Sequence, residues 1–202
     1  MTPSSPSKSH RSRTADLLII GAGVIGAAIA ASAVRRGLSV TVVDRGAIPG
    51  FGSTSSSAGI ARVHAGDVES SILADESITA WERWRELTEV PEGDAAVRFE
   101  RCGTYILDDG SGMTDHVMKV MDAAGVAFSE LDGDQLEEAL PWADTRRFGG
   151  PCRPEDPQFW GAPEGRIERA VHTPSSGYVA DPALAAQNLA AYAKAWGSVS
   201  NG

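Results

Sequence analysis

The sequence predicts an α/β protein: a parallel sheet with helices on both faces, followed by the beginning of an α+β domain. Three observations carry this. Ala15 to Ile20 is a short apolar run. Gly21-Ala22-Gly23-Val24-Ile25-Gly26 follows it and opens a helical stretch. Ser39 to Val43 then reads as a second strand, ending in the acid Asp44. Strand, glycine turn, helix and strand in this order make the βαβ unit of a parallel sheet.

Each element has a physical reason. The first run is apolar apart from Asp16, which suits a strand buried on both faces. The helix is expected over Ala27 to Arg36, with Gly37 just past its end, where a left-handed residue is needed. Arg35 and Arg36 fall in its last turn, where cations suit the helix dipole. Gly21 permits a tight turn, Gly23 lets a pyrophosphate approach the backbone, and Gly26 lets helix and strand pack closely. Ala30 and Gly37 continue the small-residue register. The helix start offers N–H groups and a positive dipole end to phosphates. Asp44, 23 residues after Gly21, can accept hydrogen bonds from ribose hydroxyls. These parts together read as a Rossmann-like dinucleotide fingerprint. An acid at position 44 favours a free ribose over a 2′-phosphate and leaves FAD and NAD undistinguished. A competing reading takes the uncharged stretch Leu17 to Val34 as a signal peptide or membrane span. Its three glycines, its many alanines and Asp16 at its mouth argue against that, so no membrane span is expected.

Composition bounds the function. The chain has 202 residues, 42% hydrophobic and 22% charged, with a net charge of −9. That is the balance of a globular protein, and it argues against a nucleic-acid partner. Residues 1–14 hold Lys8, Arg11 and Arg13 with no acid and read as a disordered tail. Two cysteines distant in sequence, Cys102 and Cys152, exclude a disulfide scaffold and a zinc ribbon, and point to a reducing, cytoplasmic setting. Cys102 is expected to be a buried small hydrophobe. His10, His64, His116 and His172 show no metal-ligand spacing and no Ser-His-Asp arrangement.

The middle of the chain is less specific. Asp67 to Val90 reads as one helix, with Ala74, Ile78, Trp81, Trp84 and Leu87 as its apolar stripe. Pro91-Glu92-Gly93-Asp94 breaks it and marks a domain boundary. Val97 to Leu107 reads as two strands around Cys102-Gly103, Asp108-Asp109-Gly110 as a turn, and Thr114 to Ala124 as a helix stopped by Gly125. Asp134 to Glu137 has the form of a capping box opening a short helix that Pro141 ends. Phe148 to Glu164 reads as loop. Gly177-Tyr178-Val179-Ala180-Asp181-Pro182 leads into a helix with Asp181 as N-cap and Leu184, Leu189, Tyr192 and Trp196 on its apolar face, up to Gly197.

After Asp44-Arg45 comes a loop rich in glycine and serine, with small donors at a density suited to a concave anion site. The fingerprint, the acid, and Gly52-Ser53-Thr54-Ser55-Ser56-Ser57-Ala58-Gly59-Ile60 resemble the FAD-dependent D-amino-acid oxidase/sarcosine oxidase superfamily. The Gly-Tyr-Val segment and its helix are similar to a stretch where that family's chain leaves the substrate domain and returns to the FAD domain. The resemblance implies a Rossmann-like FAD-binding domain of the GR2 type. It implies FAD contacts from Gly21, Gly23, Val24, Ile25, Gly26, Asp44, Arg45 and the whole run from Gly52 to Ile60. Arg62 falls where relatives bind the substrate carboxylate. The loop has Ser where some relatives carry a flavin-linking His. No catalytic residue can be named.

The domain organisation expected on this basis is a first FAD-binding part over residues 15–92, a first substrate-domain part over 93–176, and a helix over 177–202 returning to the FAD domain. Residues 198–202 do not resemble the family's next strand. The chain is therefore read as the N-terminal half of such an enzyme, marginally folded and without turnover alone. The activity implied is oxidation of the C–N bond of an amino acid or N-methyl amino acid by hydride transfer to flavin, with oxygen or a carrier as electron acceptor. The alternatives are an NAD-dependent dehydrogenase and a non-catalytic dinucleotide-binding remnant.

Overall fold

The computed structural model describes residues 14–91, 93–148, 152–196 and 199–201. The tail expected over residues 1–14, Thr14 excepted, and the helix stop expected at Gly197 lie outside the described residues. The chain divides into two compact units. The first comprises the chain through Ser57, Thr88–Ala96, and Pro182 onward; the second comprises Ala58–Leu87 and Val97–Asp181. Residues 58–87 thus group with the second unit and 93–96 with the first, the reverse of the division expected from the sequence.

In the first unit, β1 (Leu17–Ile20) and β2 (Val40–Val43) pair in parallel, Leu17 opposite Val40 and Ile20 opposite Val43. Between them α1 (Val24–Arg35) starts three residues earlier than its sequence suggested, and Gly37 at φ 77° ends it. β1 is buried on one face only. Ile19 is 7% exposed, whereas Leu18 and Ile20 are 61% and 84% exposed. The buried face is the one α1 covers, since the Cβ position of Gly26 in α1 lies 3.3 Å from Ile19 Cγ2.

A helix over Pro182–Trp196, labelled α6 in chain order, packs on α1. Both helices bury small residues: Ala27, Ala30, Ala31 and Ala33 in α1, and Ala185, Ala186 and Ala193 in α6. Alanines let the two backbones approach, and Arg35 fastens them. Its Nε–H donates to the Tyr192 hydroxyl at 2.6 Å, and its guanidinium carbon lies 4.6 Å from the Tyr192 ring centroid. Of the apolar face expected on α6, Leu189 and Tyr192 are buried. Trp196 is 60% exposed, and its indole N–H donates to Glu89. Val199–Asn201, a ninth strand, pairs in parallel with β2. This corrects the expectation that no strand follows α6: the free edge of β2 offers an unpaired backbone row on which a short extended segment can pair.

The second unit holds two antiparallel sheets. β3 (Ile60–Ala61) and β4 (Phe99–Arg101) flank β8 (Gly177–Val179). β5 (Thr104–Leu107) and β6 (Ser129–Asp132) flank β7 (Arg169–Thr173). Strands β6 and β7 have no counterpart in the sequence reading. Gly177 is required at its place, because a Cβ there would collide with the Glu100 carbonyl oxygen across the ladder. The helix expected over 67–90 is two helices, α2 (Val68–Glu82) and α3 (Trp84–Thr88). Asp67 caps α2 by accepting the Ser70 N–H at 2.8 Å. The chain leaves the helix at Arg83, and Trp81 and Trp84 stack across the break at 4.6 Å.

α4 (Met113–Ala124) ends at Gly125 with φ 71°. α5 (Gly133–Ala139) does start with a capping box, but two residues earlier than expected: Asp132 and Gln135 each accept the other's backbone N–H at 2.9 Å. Asp134, already in the first turn, instead pairs with Arg166 at 2.7 Å. Within the expected 148–164 loop, Pro157–Trp160 forms a 3-10 turn. Cys102 is exposed rather than buried, because it sits in the link between the short strands β4 and β5.

The core of this unit is Val63, Ile78, Val117, Met121, Val126 and Val171, with Phe99 and Ile106 packed against it. Met121 is fully buried at its centre. Met121→Ala should therefore lower unfolding stability by about 2–5 kcal/mol in urea titration, with an unchanged helical signal in the folded baseline.

Candidate functional site

The turn between β1 and α1 carries almost no side chain, and its backbone is held from elsewhere in the first unit. The Gly21 N–H donates to the Val43 carbonyl at 2.8 Å. The Ala22 N–H donates to Asp44 Oδ2 at 2.6 Å, and the Ala22 carbonyl accepts the Gly50 N–H at 2.9 Å. The Val24 N–H donates to the Thr54 hydroxyl oxygen at 3.1 Å. Gly21 stands at φ 105°, which a side-chain-bearing residue rarely adopts. A Cβ on Gly26 would collide with the Gly21 carbonyl oxygen. The helix closes its first intrahelical bond only at Ala27, whose N–H donates to the Gly23 carbonyl at 2.9 Å. The N–H groups of Ile25 and Gly26 precede that bond and face the helix start.

These elements line an open cavity of about 790 Å³ at the ends of β1 and β2. Of the residues expected from the sequence, Gly21, Gly23, Asp44, Arg45, Gly52, Ser53 and Thr54 line it. The others do not. Ile25 is 74% exposed, and Gly26 is turned onto the strand. Ser55 folds its hydroxyl back onto the loop, donating to the Phe51 and Gly52 carbonyls at 3.0 and 2.9 Å. This is the local bonding that short hydroxyl side chains favour, so the loop spends part of its donor density on its own shape. Ile20, Val43, Gly46 and Phe51 complete the wall and were not foreseen. Phe51, a lone aromatic between two glycines and 67% exposed, was the available signal.

Asp44 has a structural task besides any ligand. Its second oxygen accepts the Gly46 N–H at 2.6 Å. The N–H groups of Ala22 and then Gly46 hold its carboxyl below the usual value of 3.8. Each carboxylate oxygen keeps a further lone pair for a hydroxyl donor.

Ala58, Gly59, Ile60 and Arg62 belong to the second unit. Gly59 has φ 68°, and its carbonyl accepts the Val179 N–H at 2.8 Å. Ile60 pairs with Tyr178 in β3 and is 66% exposed. Arg62 is exposed and makes no hydrogen bond or ion pair among the described residues. His64 beside it is half-buried, with Nδ1 shielded and without a hydrogen-bond partner. Burial, and secondarily the charge of Arg62, hold its imidazole below the usual value.

The donor set fits a dinucleotide. The turn leaves backbone open where a Cβ would otherwise fill the cradle, the helix start supplies N–H groups, and Asp44 supplies an acceptor at the β2 end. No helix among the described residues is long and apolar enough to cross a membrane. Leu17–Val34, the stretch weighed as a span, is divided between β1, the turn and α1.

Comparison with known proteins agrees. The family profile described as FAD dependent oxidoreductase matches residues 16–199. The tRNA 5-methylaminomethyl-2-thiouridine biosynthesis bifunctional protein of Paracidovorax citrulli is 32% identical over 146 residues, which is 69% of this chain and 18% of that protein. Among solved structures, the L-proline dehydrogenase from P. horikoshii superposes with a TM-score of 0.71 at 22% identity, covering 94% of this chain and 44% of the other. The glycine oxidase from Bacillus cereus gives 0.66 at 23% identity, covering 93% and 46%. The chain thus spans less than half the length of these proteins.

Two outcomes are expected. Gly26→Ala should abolish FAD retention on desalting, because the turn cannot clear the Gly21 carbonyl without moving; retained flavin would show that it can. Because the Asp44 carboxyl is held below 3.8, its clamp on Ala22 and Gly46 should persist as pH falls through that value and be lost only below it. A carboxyl-detected NMR titration of Asp44 checks this, and a midpoint at or above the ordinary value would contradict it.

Proposed function

This chain belongs to the FAD dependent oxidoreductase family, and from that premise we propose that it serves the oxidation of the C–N bond of an amino acid or N-methyl amino acid, by hydride transfer to FAD. The observation that carries this is the cavity at the ends of β1 and β2, walled by Gly21, Gly23, Asp44 and Thr54.

FAD, when bound, supplies the two-electron oxidation, and the protein's part is to bind, orient and tune it. Gly21 admits the pyrophosphate to the backbone, and the positive end of α1 meets its charge. That attraction comes from local dipoles, so the net charge of −9 does not oppose it. Asp44 accepts from the adenosine ribose with the lone pairs that Ala22 and Gly46 leave open. Arg45, Gly52, Ser53 and Thr54, which line the same cavity, extend the contact beyond the pyrophosphate. Arg62 holds the substrate carboxylate, a task suited to a planar fork of donors. A substrate that arrives as the neutral amine needs no general base, and none is assigned. Two-electron reoxidation falls to oxygen or a carrier.

The NAD-dependent reading gives way to the family assignment. A tRNA substrate, of the kind in the name of the Paracidovorax relative, is disfavoured by the same net charge.

The test is direct. Protein incubated with FAD and desalted should keep flavin absorbance, and colourless protein would overturn the cofactor assignment. Amines are then added anaerobically: bleaching by amino acids or N-methyl amino acids would uphold the substrate class and overturn the expectation that the chain does not turn over alone, and bleaching by other compounds only would overturn the substrate class. Arg62→Ala should raise KM for carboxylated substrates about tenfold or more, with a smaller change in kcat; an unchanged KM would remove Arg62 from that role.

A further inference from the structure

We propose that Thr54 is the positioning residue that fixes the helix start for the dinucleotide, and that residue 23 is glycine in order to admit it. The inference rests on the FAD reading above and assigns a division of labour within that site. α1 begins without a cap of its own, because its N-cap is Gly23 and no side chain there accepts a hydrogen bond. The cap comes from thirty residues further on, where the Thr54 hydroxyl oxygen takes the Val24 N–H at 3.1 Å.

The loop is built to deliver that hydroxyl. Gly52, Ser53, Ser55, Ser56 and Ser57 are all exposed, and only Thr54, 9% exposed, is buried. Three backbone bonds hold it there: Gly50 N–H to the Ala22 carbonyl, Ser55 N–H to the Gly50 carbonyl, and Ser57 N–H to the Thr54 carbonyl. A Cβ on Gly23 would stand 3.0 Å from Thr54 Oγ1, closer than such contacts normally come. Glycine at 23 and threonine at 54 are therefore one device. Thr54 acts on the dinucleotide through Val24, by locking the turn that sets the direction of the α1 N-terminus. The middle glycine of the fingerprint makes room for a side chain of the protein itself.

A double-mutant cycle in the full chain decides between this and the simpler view that Gly23 only clears space for phosphate. FAD affinity is read from quenching of flavin fluorescence, and Val24 amide exchange is followed in the protein without FAD. Thr54→Val and Thr54→Ala should each weaken FAD about tenfold, with Val24 losing protection, while Thr54→Ser restores both. Gly23→Ala should weaken FAD in the parent and cost nothing further in the Thr54→Ala background. Additive losses would overturn the proposal, since Gly23 would then be facing the ligand. So would a Thr54→Val protein with parental affinity and parental Val24 protection. If the parent chain binds no FAD, the cofactor reading itself fails. The amide data still judge the cap: protection lost in Thr54→Val and kept in Thr54→Ser upholds it, and protection unchanged overturns it.

Discussion

Residues 21–24 have no side chain able to hold their own backbone, so the turn depends on hydrogen bonds supplied from β2 and the loop after it. Val43, Asp44, Gly50 and Thr54 each hold one of its polar groups. A buried or half-buried amide left unpaired would cost more than any one of these bonds contributes. The turn therefore takes its shape only when β2 and the following loop are in place. Strand pairing and site formation become a single event: Ile20 opposite Val43 sets the register that brings Asp44 under Ala22.

The same economy explains how an acidic chain can present an anion site. The positive end is made of peptide N–H groups, whose direction is fixed by the helix and whose charge cannot be neutralised by the surrounding carboxylates. The nearest acid is not a repulsive element, because both Asp44 oxygens are already engaged by the Ala22 and Gly46 N–H groups. It stabilises the donors' geometry while keeping lone pairs for hydroxyls. An acid placed here without those bonds would face the phosphates as a bare charge.

What the sequence made legible was the part in which spacing encodes geometry. Gly21, Gly26 and Asp44 could be read because each answers a steric or hydrogen-bonding demand fixed by the βαβ unit. The elements that escaped depend on partners distant in the chain. β6 and β7 are short, carry charged residues such as Glu130 and Arg169, and become strands by pairing, β6 with β7 and β7 with both β6 and β5. An Arg169 guanidinium that meets Glu130 and Asp115 reads locally as a solvated charge. The helix break at Arg83 has no Gly or Pro to announce it, and the Trp81–Trp84 stack across it is visible only in three dimensions. The capping box moved from Asp134 to Asp132 because both positions have an acid, and only the strand ending at Asp132 selects between them. Within the candidate site, the lining by Gly52, Ser53 and Thr54 is what the loop's family resemblance implies, but the inward turn of the Ser55 hydroxyl onto its own loop is not.

The glycines of the fingerprint therefore are not three copies of one requirement. Gly21 needs a backbone angle, with nothing within 4 Å of its absent Cβ. Gly26 needs the absence of an atom against backbone, at the Gly21 carbonyl, where no rotamer change can relieve the contact. Gly23 needs the absence of an atom against a side chain, Thr54, whose identity can vary with it. Backbone constraints of the first two kinds are intrinsic to the strand–turn–helix and belong to any chain that folds this way. The third couples this chain's loop to the helix. The segment from Val24 to Thr54 thus acts as one unit whose closure orders the turn between β1 and α1, and the conformational entropy of the turn is lost on folding rather than on binding.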